Sequence, residues 1–156
     1  MTIANRLREF LDGAGVNYGE VAHSEAMTSA GSAHAAHVPG RQVAKPVVIH
    51  HETGYVLAVV PSTHRVELST LQEILDRRLG LASEQEIAKL FDDCATGAVP
   101  PIGAAYGVPT YLDESLDKVE DLYFEAGDHR TLVHVSGEAF RALTKDARRA
   151  RFSHAP

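Results

Sequence analysis

The sequence has little of what secreted or membrane proteins depend on. Its 156 residues include a single cysteine, Cys94, so no disulfide can form within the chain, and a reducing compartment is indicated. The longest strongly apolar stretch, residues 55–61, is too short to cross a bilayer. The N-terminal segment is polar and amphipathic rather than an apolar leader. We therefore expect a cytoplasmic protein without a membrane partner.

An excess of basic residues is also missing. Fifteen Lys and Arg face twenty-one Asp and Glu, which gives a formal charge of −6. Because general nucleic-acid binding needs clustered cations, we do not expect DNA as a partner. One local basic patch lies near the C-terminus, where it predicts either an RNA contact or, preferably, a solvated last helix turn. The patch consists of Lys145, Arg148, Arg149 and Arg151.

Metal and nucleotide motifs are absent as well. The chain has no HExxH pattern, no Walker loop and no GxGxxG, and Cys94 has no CxxC partner. His34 and His37 are three residues apart, which is compatible with shared ligation, whereas His50 and His51 are adjacent on a predicted strand and face opposite ways. Solvated or hydrogen-bonded histidines are the better interpretation, so we expect no cofactor and no metal.

A β-hairpin is the clearest structural signal. Two runs rich in β-branched residues, 43–50 and 55–60, flank a short loop with glycine. The second run is apolar on both faces, which is typical of a central strand. Helical patterns interleave with further strands, Thr28 is a candidate N-cap, and Ser83 with Glu86 forms a capping box. With no repeat or linker, residues 1–156 are predicted to form one mixed α/β domain with largely antiparallel pairing.

Lys45 is the most informative single residue. On an extended strand it shares one face with Val43, Val47 and Ile49, so it must snorkel, find an anion or open onto a cleft. Pro46 biases it further toward an extended conformation. An edge-strand lysine that blocks aggregation explains the pattern equally well, since Pro46 also suits an edge.

Two loops are further candidates for chemistry. In residues 97–103, prolines fix the backbone while glycines permit close approach, so main-chain groups could polarise a ligand carbonyl. In residues 127–130, His129 or Arg130 could contact a phosphate or ribose. A plain connector and a plain turn are the simpler interpretations of these two segments.

Three sequence blocks follow one another in a specific order. They are Gln42-Val43-Ala44-Lys45 with the strands that follow, Leu81-Ala82-Ser83 with Glu86 and the 97–103 loop, and residues 108–116 with Phe124-Glu125-Ala126-Gly127. In this order the blocks resemble the YbaK/prolyl-tRNA-editing (INS-like) family of aminoacyl-tRNA deacylases, and the resemblance extends from about residue 7 to residue 143.

This resemblance implies a fold and a reaction. The fold would be a barrel-like mixed sheet surrounded by helices. The reaction would be hydrolysis, in trans, of the ester between a wrong amino acid and the 3′ end of a tRNA, with an aminoacyl-tRNA synthetase as a further candidate partner. The residues implied are Lys45, Gly97 and Gly103 as catalytic and Thr28, Pro101, Ile102, Asp113 and His129 as substrate-binding.

Two departures from the family pattern keep alternatives open. Pro46 follows the lysine where relatives often have a small or polar residue, and the loop ends Pro-Pro-Ile-Gly where relatives often have an aromatic before the glycine. One alternative is a catalytically silent module that binds aminoacyl-adenosine or the tRNA 3′ end and assists a synthetase. Another is a hydrolase of a small aminoacyl or amide compound without tRNA, which the acidic charge favours.

Overall fold

The computed structural model describes residues 3–155, which contain five α-helices and ten β-strands. In chain order these are α1 Asn5–Ala14, β1 Gly19–Ala22, α2 Ser29–Ala35, β2 Ala44–His51, β3 Gly54–Pro61, β4 Arg65–Val66, α3 Leu68–Leu75, β5 Gly80–Leu81, α4 Glu84–Leu90, β6 Thr110–Asp113, β7 Asp121–Glu125, β8 Thr131–Ser136, α5 Gly137–Leu143, β9 Arg148–Ala150 and β10 Ser153–His154.

A five-stranded mixed sheet forms the centre of the molecule, in the order β5-β2-β3-β6-β9. The predicted hairpin is confirmed, because β2 and β3 pair antiparallel from Ala44↔Pro61 to His51↔Gly54. The strands β3, β6 and β9 run parallel to one another. The mixed α/β class with largely antiparallel pairing is therefore confirmed.

The expected barrel-like closure is not confirmed. Within residues 3–155 the strands form three open sheets, because β1-β8-β7 is a separate antiparallel sheet and β10 pairs with β4 alone. The two larger sheets are joined by a single parallel bridge between Val43 and Tyr123. One bridge provides too few hydrogen bonds to close the strands into a barrel.

The hydrophobic core lies on both faces of the β2–β3 hairpin. Leu57 and Val59 pack into the main cluster with α1 and the second sheet, whereas Val56 and Ala58 pack into a smaller cluster under α3. Alternating side chains of β3 are therefore buried on opposite faces, as predicted for a central strand.

Local capping signals position the helices. Thr28 Oγ1 accepts the N–H of Gly31 at 3.0 Å and caps α2. Ser83 and Glu86 form the predicted capping box at the start of α4. None of the helices within residues 3–155 is long and apolar enough to cross a bilayer.

The basic patch near the C-terminus is not a helix turn, which corrects that interpretation. The last helix ends at Leu143, and Arg148 and Arg149 lie in strand β9. The chain is drawn onto the sheet because Phe152 is fully buried in the smaller core cluster. Arg149 donates from Nε to Asp117 at 2.8 Å, so this cation is already paired within the chain.

Candidate functional site

One edge of β2 is left open beside its lysine. The short strand β5 pairs only with Ile49 and His50, and the N–H of Ala82 reaches the Val48 carbonyl at 3.0 Å. Since peptide groups alternate sides along a strand, Val48 and Pro46 both face this edge. The missing N–H of Pro46 therefore points to the open edge, and no hydrogen bond to β3 is lost. A proline at an open strand edge is compatible with a neighbouring Lys45 that opens onto a cleft.

A cavity of about 340 Å³ lies against this open edge. Of the predicted site residues, Lys45, Thr28 and Gly97 line it together. Sequence reasoning did not select the remaining lining residues, although Leu81 and Ala82 lie in a block that resembles the family. These remaining residues are Ser29, Pro46, Val47, Val48, Leu81, Ala82, Ile87 and Val99. We call this space the Lys45 cavity.

The ammonium group of Lys45 is held at a backbone carbonyl. Its Nζ donates to the His64 carbonyl oxygen at 2.9 Å, and the side chain is partly buried. Burial and, secondarily, the charge of Arg65 lower the pKa of Lys45. A cation with this desolvated position can contact a polar or anionic group of a bound ligand at low reorganisation cost.

Gly97 is required by both conformation and space. Its φ is +83°, and an added Cβ would lie 2.8 Å from the Met27 carbonyl oxygen and 3.1 Å from Cε1 of His129. The His129 ring therefore stands directly behind this wall of the cavity. His129 is itself 7% exposed with a φ of 64°, and within residues 3–155 its buried Nδ1 has no hydrogen-bond partner.

The far end of the same loop lies elsewhere. Pro101, Ile102 and Gly103 are buried, and Gly103 borders a second cavity of about 300 Å³ with Thr110. We call this second space the Gly103 cavity. A methyl group on Gly103 would collide with Thr110 Oγ1 and the Val108 carbonyl oxygen. The structure does not bring Gly103 and Lys45 to one cavity.

Asp113 also lies away from the Lys45 cavity. Its carboxylate accepts the N–H of Phe152 at 2.9 Å and the N–H of Ser115 at 3.1 Å, and it also contacts the Ser115 hydroxyl. Burial raises the pKa of Asp113, but hydrogen bonds from Ser115, Phe152 and Ser153 outweigh it and lower that pKa overall. Asp113 therefore anchors the C-terminal segment.

A buried acid near the cavity was missed by sequence reasoning. Glu125 is fully buried, and Ser32 Oγ lies 3.1 Å from both of its carboxylate oxygens. Burial raises the pKa of Glu125 to about 7, and the nearby Asp128 contributes in the same direction. The pair ties α2, which carries Thr28 and Ser29 to the cavity, onto the end of β7. The available signal was weak, because β7 carries a second acidic residue, Asp121, at its exposed end.

The single cysteine is poorly suited to act as a nucleophile. Cys94 Sγ lies 3.4 Å from both Asp93 Oδ1 and the Tyr106 hydroxyl. Burial raises the pKa of the Cys94 thiol to about 12, so the thiolate is scarce at neutral pH. Within residues 3–155, no three His, Cys, Asp or Glu side chains are grouped to hold a metal ion.

Comparison with known proteins identifies relatives of the whole chain. A candidate trans-editing enzyme for prolyl-tRNA synthetase is 27% identical over 97% of each chain, with a TM-score of 0.82. A structure from a study of epitope grafting onto scaffold proteins is 26% identical with the same coverage and TM-score. A hypothetical protein, 20% identical over 96% of this chain and 100% of its own, shares the fold with a TM-score of 0.84.

Two comparisons of the sequence gave different results. No curated protein sequence matches the chain significantly. The family model for the aminoacyl-tRNA editing domain matches residues 23–143, which is most of the chain and includes both the Lys45 strand and the 97–103 loop. This protein belongs to the aminoacyl-tRNA editing domain family.

Proposed function

We propose that the chain acts as a single domain that hydrolyses, in trans, the ester of a mischarged aminoacyl-tRNA, and that the Lys45 cavity is its site. The observation that carries this proposal is that Lys45, Thr28 and Gly97, which are far apart in sequence, line one cavity at the open edge of β2. This convergence in a member of the editing family supports a substrate-binding site rather than an aggregation-blocking edge.

Lys45 and the Gly97 end of the loop have separate roles in this proposal. The Lys45 ammonium contacts the terminal nucleotide of the tRNA. The backbone at Gly97 orients the ester carbonyl and the attacking water, which requires the close approach that only glycine permits here. Thr28, exposed at the start of α2, contacts the substrate from the opposite wall, and His129 supports Gly97 from behind.

The chemistry requires no strong nucleophile. An aminoacyl ester is already activated, so positioning and electrostatic stabilisation of the oxyanion supply much of the acceleration. A partly buried Cys94 thiol whose pKa is raised to about 12 is consistent with water as the nucleophile. None of the other predicted site residues in the loop or beyond it lines the Lys45 cavity. In this proposal Pro101, Ile102 and Gly103 fix the far end of the loop, and Asp113 anchors the C-terminal segment.

The apolar lining of the cavity is where we expect substrates to be selected. Its apolar lining includes Val48, Ile87 and Val99, and its volume is about 340 Å³. In this proposal the apolar lining favours aminoacyl groups with apolar side chains, which supplements the weak discrimination that synthetases achieve between small side chains. In this proposal the partner is a synthetase that releases mischarged tRNA in the cytoplasm.

The test is deacylation of tRNAs that carry Ala, Ser, Cys or Pro esters. We expect the wild-type protein to hydrolyse one of these esters above the spontaneous rate. Lys45→Ala should lower kcat/KM by about a hundredfold, which corresponds to about 3 kcal/mol of transition-state stabilisation. Lys118→Ala, which removes an exposed lysine outside the Lys45 cavity and outside the C-terminal basic patch, is the matched control and should stay within about twofold of wild type.

Other outcomes separate the alternatives. Binding of tRNA without turnover of any ester would favour the silent module, for which the edge-facing Pro46 is the specific observation. Turnover of small aminoacyl esters with no preference for the tRNA-linked form would favour the hydrolase that acts without tRNA. Equal activity in Lys45→Ala and Lys118→Ala would contradict the assignment of the site.

A further inference from the structure

A chain of contacts runs from Lys45 to the C-terminal segment. Lys45 Nζ donates to the carbonyl of His64 at 2.9 Å. The ring of the same histidine is hydrogen-bonded through Nδ1 to Ser153 Oγ at 2.9 Å. Ser153 is also hydrogen-bonded to the Asp113 carboxylate. Hydrogen bonds thus connect His64, Ser153 and Asp113, which come from three separate parts of the chain, to the carbonyl that holds Lys45.

The C-terminal segment is fixed where it meets this line. Ser153 and His154 pair with Val66 and Arg65 as a two-stranded sheet. Just before them, Phe152 is fully buried and its N–H donates to Asp113 at 2.9 Å. Ser153 is therefore held by backbone pairing on one side and by a buried aromatic anchor on the other.

We propose that Ser153 is a positioning residue for Lys45: by fixing His64, it holds in place the carbonyl that sets the direction of the lysine ammonium. This inference rests on the proposed role of Lys45 in ester hydrolysis. It makes the C-terminal segment part of the site, although that segment lies outside the residues 23–143 matched by the family model.

The need for such a support follows from the position of Lys45. Its side chain is partly buried, and the nearby charge of Arg65 opposes its own. A lysine head on a flexible four-carbon stem has no fixed direction of its own. The His64 carbonyl is the acceptor that holds it, and this carbonyl lies in the short turn between β3 and β4, where the Ser153 bond restrains it.

The direct test observes the Lys45 ammonium by NMR. The protein has four lysines, Lys45, Lys89, Lys118 and Lys145, so their ¹⁵Nζ–H signals can be assigned by single substitutions. In the wild type, Lys45 should show the slowest hydrogen exchange of the four. Ser153→Ala should accelerate that exchange about tenfold, because one hydrogen bond of the support is lost. Ser153→Thr, which keeps the hydroxyl, should restore it.

A second variant and a control isolate the mechanism. His64→Ala keeps the backbone carbonyl but removes the ring that Ser153 holds, and it should reproduce the exchange change of Ser153→Ala. Ser69→Ala, at an exposed serine on α3, should leave the Lys45 signal unchanged. An unaltered Lys45 exchange rate in both folded variants would overturn the proposal.

Deacylation provides the functional readout. Ser153→Ala should lower kcat/KM by about tenfold with an unchanged unfolding midpoint, and Ser153→Thr should recover most of it. Failure of the wild type to hydrolyse any ester would contradict the proposed function, whereas the NMR result would still decide whether Ser153 positions Lys45. Activity in Ser153→Ala equal to wild type, with altered Lys45 exchange, would show that this positioning has no catalytic consequence and would also overturn the inference.

Discussion

The two glycines that bound the 97–103 loop have opposite surroundings. Gly97 is exposed, has a φ of +83° and lines the Lys45 cavity. Gly103 is buried against Thr110 and the backbone of Val108 at the Gly103 cavity. Glycine at position 97 therefore permits a left-handed backbone beside an open cavity, whereas glycine at position 103 permits close packing against neighbouring atoms. A shared sequence motif does not give its glycines a shared role.

Gly103→Ala should have the largest effect on stability. The new methyl group meets the Thr110 hydroxyl and the Val108 carbonyl oxygen. The hydroxyl can rotate away, but the carbonyl belongs to the backbone just before β6, and this backbone must shift to relieve the collision. We expect a loss of about 4 kcal/mol in the free energy of unfolding, measured by urea denaturation. Gly19→Ala, at a strand glycine with open space around it, should change stability by less than about 0.5 kcal/mol. Equal effects of the two substitutions would contradict the packing role.

Glu125→Gln should remove a pH dependence of the free energy of unfolding. The pKa of Glu125 in the folded protein is raised to about 7. Between the ordinary carboxyl pKa and pH 7, the folded protein therefore keeps the Glu125 proton, whereas the unfolded chain has lost it. Its contribution to stability is therefore present at low pH and is lost as the pH rises toward 7, by up to about 3 kcal/mol. The amide should remove this slope, as measured by urea unfolding at pH 5 and pH 8. A slope that persists in the variant would show that other groups cause it.

Gly97→Ala should affect activity more than folding. A positive φ and the 2.8 Å approach to the Met27 carbonyl should cost about 1–2 kcal/mol of stability, while kcat falls at least about tenfold. Gly107→Ala is the matched control, because its φ is +69° with nothing nearby. Gly107→Ala should lose stability through backbone strain alone and keep its deacylation rate. A fall in that rate similar to the fall in Gly97→Ala would argue against a specific role for Gly97.

Thr28→Ala should give the smallest effect. Loss of the cap on α2, where Thr28 accepts the Gly31 N–H at 3.0 Å, should cost about 1 kcal/mol in thermal unfolding. Thr28→Ser keeps the acceptor and should be nearly neutral. If the alanine and serine variants unfolded at the same temperature, the cap would not contribute to the stability of this wall.

Sequence reasoning predicted the parts of the fold that local patterns determine. The β2–β3 hairpin follows from β-branched runs around Gly54, and the caps at Thr28 and Ser83 follow from short-range hydrogen bonding. The C-terminal strands β9 and β10 were not predicted, because their pairing depends on Asp113 and on burial of Phe152, which are distant contacts.

The candidate site was predicted in part for the same reason. Lys45 stood out because a charge interrupts an apolar face, and the structure places it with Thr28 and Gly97. Nothing local distinguishes Gly97 from Gly103, since their roles depend on which element each one approaches. Glu125 and Ser153 were not selected, because their contacts cross from one element to another.

The most direct test of the Lys45 cavity as the substrate site is to map a non-hydrolysable aminoacyl-adenosine amide onto the protein by amide ¹H–¹⁵N shifts. We predict that perturbations concentrate at Thr28, Lys45, Val48 and Gly97, which line the Lys45 cavity. Shifts concentrated around Gly103 and the cavity it borders, with the Lys45 cavity unperturbed, would contradict it.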